Sequence, residues 1–233
     1  RKAGFRVAFD SVNSVGGVAL PALFKALGVE QVHGLFDDPT GDFAHNPEPL
    51  PEHLTAICEE VRRTSADVGF VVDPDVDRLA IVDEHGAFFG EEYTLVSIAD
   101  YLLSLNGGGN TVSNLSSTRA LRDVTLRHGG SYHAAAVGEV NVVTKMKEVN
   151  ALIGGEGNGG VIYPELHYGR DALVGIALFL TMLAKSGRSV SELRATYPSY
   201  YMSKQRVELS ADIDPQSLLD RLAREEQDKG EIN

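Results

Sequence analysis

Three carboxylates, Asp73, Asp75 and Asp77, stand at alternate positions in Gly69-Phe-Val-Val-Asp-Pro-Asp-Val-Asp-Arg-Leu-Ala-Ile-Val-Asp83, and Arg78 follows them at once. Apolar runs at residues 69–72 and 79–82 flank the acids and read as buried strands. Pro74 keeps the connection extended and stops it from becoming a helix. A buried strand that opens into a tight acidic loop makes a site for a hard cation. Carboxylate oxygens suit Mg²⁺, which keeps coordination positions open for water or phosphate oxygen. Arg78 beside such an ion would present a fork to a phosphate.

Three other readings fit parts of this stretch. Asp73, Asp75, Asp77 and Glu84 fall on liganding positions of an EF-hand loop, but Arg78 stands where that loop needs glycine, and the flanks are strand-like. An aspartyl-nucleophile phosphatase of the haloacid dehalogenase type also places Asp-x-Asp after an apolar run, which would make Asp73 a nucleophile. That family has Thr or Val where Asp77 stands, and no later partner motif is found. A plain acidic turn would crowd like charges with nothing cationic between them.

A second loop, Leu152-Ile-Gly-Gly-Glu-Gly-Asn-Gly-Gly160, is followed by apolar residues 161–163. Its glycines permit positive φ and close backbone approach, and Glu156 and Asn158 can hydrogen-bond sugar hydroxyls. Alone it also reads as a hairpin turn.

Together the two loops resemble those of the α-D-phosphohexomutase superfamily, which includes phosphoglucomutase, phosphomannomutase and phosphoglucosamine mutase. The superfamily's metal loop, Asp-x-Asp-x-Asp-Arg, is matched by Asp73, Asp75, Asp77 and Arg78. Its sugar loop, Gly-Glu-x-Ser-Gly, is matched by Gly155, Glu156 and Gly159, with Asn158 in place of serine. Residues 41–54 resemble a signature of the second domain, residues 113–119 a strand and helix start of the third, and Val137-Gly138-Glu139 a third-domain substrate loop.

The resemblance implies an α/β fold of two tandem, similar domains, each a mixed sheet sandwiched by helices. The second domain would occupy residues 1–88, the third 89–203, and residues 204–233 would open the fourth. It also implies Mg²⁺ on Asp73, Asp75 and Asp77, and Arg78 at the transferring phosphoryl. Substrate contacts would come from Glu156, Asn158, Gly138 and Glu139, with His167 and Arg170 as further candidates. His167 otherwise reads as a surface turn residue, and Arg170 as a helix-start partner of Asp171. The implied partners are a hexose or hexosamine phosphate and the first and fourth domains of the same polypeptide. An acid at Glu139 leans towards a hexosamine, whose ammonium it would attract.

Ala44-His45-Asn46-Pro47 is a near match to the superfamily's phosphoserine loop, Ser-His-Asn-Pro, with alanine at the serine position. His45 therefore reads as a turn residue. No other serine has that context, so these 233 residues alone are expected to be inactive. A start at Arg1 rather than methionine suggests a piece of a longer chain.

Composition bounds the rest. Hydrophobic residues at 43% and charged residues at 23% suit a globular protein. A net charge of −12 disfavours nucleic acid and anionic membranes as partners. Local cations must therefore outweigh the global field wherever phosphate binds. Cys58, the only cysteine, excludes an internal disulfide and fits a reducing compartment such as the cytoplasm. No apolar stretch is long enough to span a membrane, and no signal peptide is found.

The remaining pattern alternates strands and helices. Residues 5–9 read as a strand, Pro21 as the opening of a helix to Leu27, and residues 29–35 as a second strand. Helices are expected at 52–63, 91–105, 119–128, 141–149, 171–186 and 190–196, and strands at 111–115 and 131–136. A hairpin at Glu84-His85-Gly86 is expected to turn the chain into residues 87–90. Lys145 and Lys147 read as solvated. Residues 205–209 read as a strand, and 214–229 as a charged helix headed by Pro215.

Overall fold

The computed structural model describes residues 4–203, 207–210 and 213–228. The chain divides into two units, Arg1–Tyr200 and Tyr201–Asn233.

The first unit opens with β1 (Arg6–Asp10), α1 (Gly16–Leu27) and β2 (Gln31–Leu35). β2 lies parallel to β1. The chain then passes through α2 (Thr55–Thr64) to β3 (Val68–Val72), which pairs parallel on the other side of β1. β4 (Leu79–Val82) returns antiparallel, giving the order β2-β1-β3-β4. Every residue of β3 and β4 is buried, which explains their unbroken apolar runs.

After α3 (Glu91–Asn106) the plan repeats: β5 (Asn110–Asn114), α4 (Ala120–Arg127), β6 (Ser131–Ala135), α5 (Glu139–Glu148), β7 (Ile153–Gly155) and β8 (Val161–Ile162). The second sheet is ordered β6-β5-β7-β8, again with only the last strand antiparallel. α6 (Ala172–Ser186) and α7 (Val190–Arg194) complete this unit.

Helices α3 and α6 lie between the sheets. α3 touches β4 and β7, and α6 touches β4 and β8. A helix enclosed on two sides must be apolar around most of its circumference, and α3 buries residues on every turn. Phe70, Phe89 and Phe179 pack edge to face across this layer, with ring centroids 6.1 and 5.5 Å apart. The outer faces are covered separately, by α2 through Ile57 and Val61, and by α5 through Val142 and Met146.

Several elements differ from expectation. α1 begins at Gly16, so Pro21 lies inside it. Gly16 and Leu20 face the core, and the one backbone bond that proline forfeits near the helix start costs less than exposing them. The hairpin expected at 84–86 is present: the chain returns along β4 with a bridge from Phe88 to Val82, and the Phe89 amide donates to the Ile81 carbonyl at 2.9 Å. Its turn is held by Asp83, whose Oδ1 accepts from the amides of His85 and Ala87. α5 starts at Glu139 rather than 141, because the Gly138 carbonyl accepts the first helical bonds from Asn141 and Val142. The expected helix at 52–63 is a 3₁₀ turn, Pro51–His53, followed by α2. Cys58 is only half-buried, on the side of α2.

In the second unit, α8 (Pro215–Glu226) is capped by Asp214, which accepts from the Ser217 amide at 3.0 Å. Of the strand expected at 205–209, residues 205 and 206 lie outside the described residues, and 207–209 carry no strand.

Candidate functional site

Parallel strands place the ends of β1 and β3 on one edge of the first sheet, and those of β5 and β7 on one edge of the second. Such carboxyl-terminal edges are where open α/β sheets receive ligands. The acidic loop leaves β3 and the glycine-rich loop leaves β7. The two loops meet. The Leu79 amide donates to the Gly159 carbonyl at 3.1 Å, and Arg78 and Gly160 form an antiparallel bridge. Gly159 has φ +90°, and a β-carbon there would lie 2.5 Å from the Leu79 carbonyl oxygen, so only glycine fits this seam.

Asp73 is 5% exposed. Its Oδ1 accepts from the amides of Asp77 and Arg78, both at 3.0 Å. Burial drives its pKa up to about 6. The Arg78 amide opposes the shift, and Asp77 and Asp75 add to it. One oxygen from each of Asp73, Asp75 and Asp77 lies within 4.8 Å of the others. The loop bends through Val76 at φ +60°, an uncommon conformation for a β-branched residue. The Val76 carbonyl accepts from Ala172 at the head of α6, which holds the bend.

Asp77 Oδ1 is buried and has no hydrogen-bond partner, and the same holds for Nε of Arg78. That nitrogen lies 3.4 Å from Asp73 and 3.8 Å from Asp77, close enough for ion pairing but not aligned for a hydrogen bond. Arg78 also reaches Glu48, at 3.6 Å. Three hard oxygen donors, one of them an unsatisfied buried carboxylate oxygen, fit a Mg²⁺-type ion.

Glu156 follows β7 as Asp73 follows β3, and it too is 5% exposed. Its oxygens are engaged by Asn114 at 2.8 Å and Arg170 at 2.9 Å. The Arg170 side chain, 15% exposed, also hydrogen-bonds Asp77 and lies 3.4 Å from Glu139. Burial alone would loosen its proton, but Asp77, Glu139 and Glu156 together tighten it. Arg170 is thus no helix-start partner of Asp171. Asp171 instead caps α6, accepting from the amides of Leu173 and Val174.

The structure brings Asp73, Asp75, Asp77, Arg78, Glu139, Glu156 and Arg170 into one connected cluster. Asn158 stays in the glycine-rich loop, where its Oδ1 accepts from the Gly160 amide at 3.2 Å. Gly138 caps the start of α5 beside Glu139. His167 faces outward, 48% exposed, with Nε2 3.0 Å from Asp171 and Nδ1 accepting from Gly169. Lys145 pairs with Glu148, and Lys147 lies over the Tyr168 ring.

Sequence reasoning passed over Asn114, although its place at the end of a central strand was a usable signal. It also gave Asp10 no role. Asp10 is fully buried at the matching end of β1 and meets His45 Nε2 at 3.0 Å. Burial raises its pKa, against the Val12 amide and His45.

Two mixed α/β sheets with helices on their faces, carrying an acidic loop against a glycine-rich loop, define a phosphoglucomutase-like architecture. Residues 1–86 match the family model for phosphoglucomutase/phosphomannomutase alpha/beta/alpha domain II, and residues 90–200 match domain III. A Thermococcus kodakarensis "Phosphoglucomutase/phosphomannomutase" is 37% identical over 88% of this chain and 45% of its own length. A Methanopyrus kandleri "Probable phosphoglucosamine mutase" is 32% identical over 91% and 47%. The crystal structure of a Burkholderia thailandensis phosphoglucomutase/phosphomannomutase family protein superimposes with a TM-score of 0.77 at 32% identity, covering 84% of this chain and 43% of that one. The chain belongs to the phosphoglucomutase/phosphomannomutase family of phosphohexomutases, and it spans about half the length of the relatives it matches. An Aspergillus fumigatus N-acetylphosphoglucosamine mutase, solved with GlcNAc-6P and magnesium, shares the fold at a TM-score of 0.70 and 16% identity, covering 96% of this chain and 59% of that one.

Proposed function

We propose that this chain supplies the metal-binding and sugar-recognition halves of a phosphohexomutase, a cytoplasmic enzyme that interconverts the 1- and 6-phosphates of a hexose or hexosamine. Residues 1–88 form the metal-binding domain, 89–203 the sugar-recognition domain, and 204–233 the start of a phosphate-binding domain. The observation that carries the reading is the direct contact of the two loops, which would bring metal-assisted phosphate chemistry beside sugar recognition.

Asp73, Asp75 and Asp77 hold Mg²⁺ in this reading. When bound, the ion offsets negative charge on a phosphoryl group in transfer. Arg78 stands beside the acids and offers its guanidinium to the same oxygens. Glu156 and Asn158, with Gly138 and Glu139 across from them, orient the sugar, and His167 and Arg170 border that surface. Such transfers depend on positioning and charge stabilisation more than on covalent work by these side chains. The phosphoryl donor would be a phosphoserine of another segment, whose phosphorus a sugar hydroxyl attacks with the serine oxygen leaving; Ala44 offers no serine hydroxyl.

A hexosamine phosphate is the preferred substrate. What supports the amino sugar is Glu139, which with Glu156 outnumbers the one arginine they share, Arg170, once Asp77 is given to the metal. Glu139 is 37% exposed and open to a sugar ammonium. Glucose or mannose phosphate is the alternative, in keeping with the mixed names of the relatives.

Phosphorus NMR of glucosamine 6-phosphate and glucose 6-phosphate, incubated with Mg²⁺ and the polypeptide carrying these residues, tests the reading. Interconversion that favours the amino sugar and is lost in Asp75→Asn supports it. No interconversion of either sugar by a polypeptide that includes a phosphoserine segment overturns it. These 233 residues alone are predicted to show no turnover.

A further inference from the structure

One side chain ties the two loops together. Arg170 lies 93 positions beyond Asp77 and 14 beyond Glu156, yet its guanidinium reaches both, with Nη2 on Asp77 and Nη1 on Glu156. Its Nε faces Glu139 at 3.4 Å, and its own amide donates to Glu139 at 3.2 Å. This division of labour sets the state of Asp77. Oδ2 is held by Arg170, while Oδ1 is buried within the Asp73–Asp75–Asp77 group, accepts no hydrogen bond, and has Arg78 Nε as an ion-pair neighbour at 3.8 Å.

A carboxylate with one oxygen gripped by a guanidinium and the other buried without a hydrogen bond is oriented for a cation. We propose that Arg170 is the positioning residue that sets the geometry of the metal loop, and that through it the state of the glycine-rich loop controls metal affinity. The inference rests on the metal reading above and deepens it. A guanidinium is suited to the task because its planar fork can hold two or three carboxylates at fixed angles. A lysine ammonium on a flexible stem cannot. Outer-shell partners of this kind typically change metal affinity by about 10- to 100-fold when removed.

The coupling has a direction. If Glu156 loses its charge, Arg170 loses one of its anchors and Asp77 is held less firmly. Because coupling free energies are reciprocal, metal in the acidic loop would in turn firm the glycine-rich loop.

Calorimetric titration of Mg²⁺ alone tests this in the parent, Arg170→Gln, Arg170→Lys, Glu156→Gln and the Arg170→Gln/Glu156→Gln pair. Affinities are compared among variants whose circular dichroism and thermal transitions match the parent, and Arg170→Lys and Glu156→Gln serve if Arg170→Gln does not fold. The expected results are a loss of about 10- to 100-fold in Arg170→Gln, little rescue by lysine, a severalfold loss in Glu156→Gln, and a double variant no weaker than Arg170→Gln. Equal or tighter binding in Arg170→Gln would overturn the inference, since Arg170 would then be indifferent to the ion or a competitor for Asp77. Fully additive losses would overturn the coupling. A parent that binds no Mg²⁺ would instead sink the metal reading, and this inference with it.

Discussion

The acidic loop after β3 and the glycine-rich loop after β7 occupy the same place in two copies of one topology, and they are built on opposite plans. Each begins with a buried acid on the residue after a central strand. Asp73 takes two backbone amides on one oxygen and lies among two further carboxylates. Glu156 takes a neutral amide from Asn114 and a guanidinium from Arg170, so both its oxygens are satisfied. The first loop carries unspent negative charge on side chains and bends through a strained valine. The second carries almost no side chains and lets its backbone approach Leu79. Strain and unsatisfied charge gather on the side where a cation fits, as expected where function rather than stability sets the residue.

Substitutions should break this comparison unequally. Gly159→Ala puts a β-carbon 2.5 Å from the Leu79 carbonyl at a φ of +90°, so it should cost about 2–3 kcal/mol, read from the urea midpoint. Asp75→Asn, on the exposed tip of the acidic loop, should leave metal-free stability unchanged or slightly higher by relieving repulsion. Equal losses in the two variants would mean that the loops do not differ as described.

Protons should sharpen the contrast. Asp73 has a pKa pushed up to about 6, so it is mostly protonated at pH 5 and mostly ionised at pH 7. A proton and a cation compete for it, and Mg²⁺ affinity should rise about tenfold over that interval. The same shift has a sign for folding. A carboxyl whose folded pKa lies above its unfolded value of 3.8 favours the folded state when protonated. The metal-free protein should therefore lose that contribution as pH climbs from about 4 to 6. A flat affinity between pH 5 and 7 would remove Asp73 from the ligand set.

Away from the loops, Glu84 joins the first sheet's last turn to α7, accepting from the amide of Ser191 at 3.1 Å and from its hydroxyl. Burial raises its pKa, but the Ser189 and Ser191 donors prevail and bring it down to about 2. A folded pKa below the unfolded 4.5 means a contribution present above pH 4.5 and lost as pH falls towards 2. Glu84→Gln should cost about 1 kcal/mol at pH 7 in chemical denaturation, with the gap to the parent closing near pH 2.

The two motifs were legible because their chemistry is contiguous. Asp73, Asp75, Asp77 and Arg78 sit within six residues, and the buried runs beside them follow from strands covered on both faces. The alternation of strands and helices pointed to the two similar sheets, because each parallel strand pair needs a crossover helix. Arg170 was visible only as a residue near a loop. Its grip on Asp77 depends on α3 and α6 bringing two sheets together, and no local pattern encodes that. Proline at position 21 misled, because packing of Gly16 and Leu20 overrides a local helix-start signal. Glu156 reads from sequence as a free hydroxyl partner, yet its oxygens are engaged by Asn114 and Arg170 from outside its own loop.

The most direct test of the central claim is calorimetric titration of Mg²⁺ into the protein and into Asp75→Asn. Binding in the parent and a loss of at least about 100-fold in the variant is the predicted result, since one of three carboxylate ligands would be neutralised. Equal Mg²⁺ affinity in the two proteins would contradict a metal site on residues 73–77.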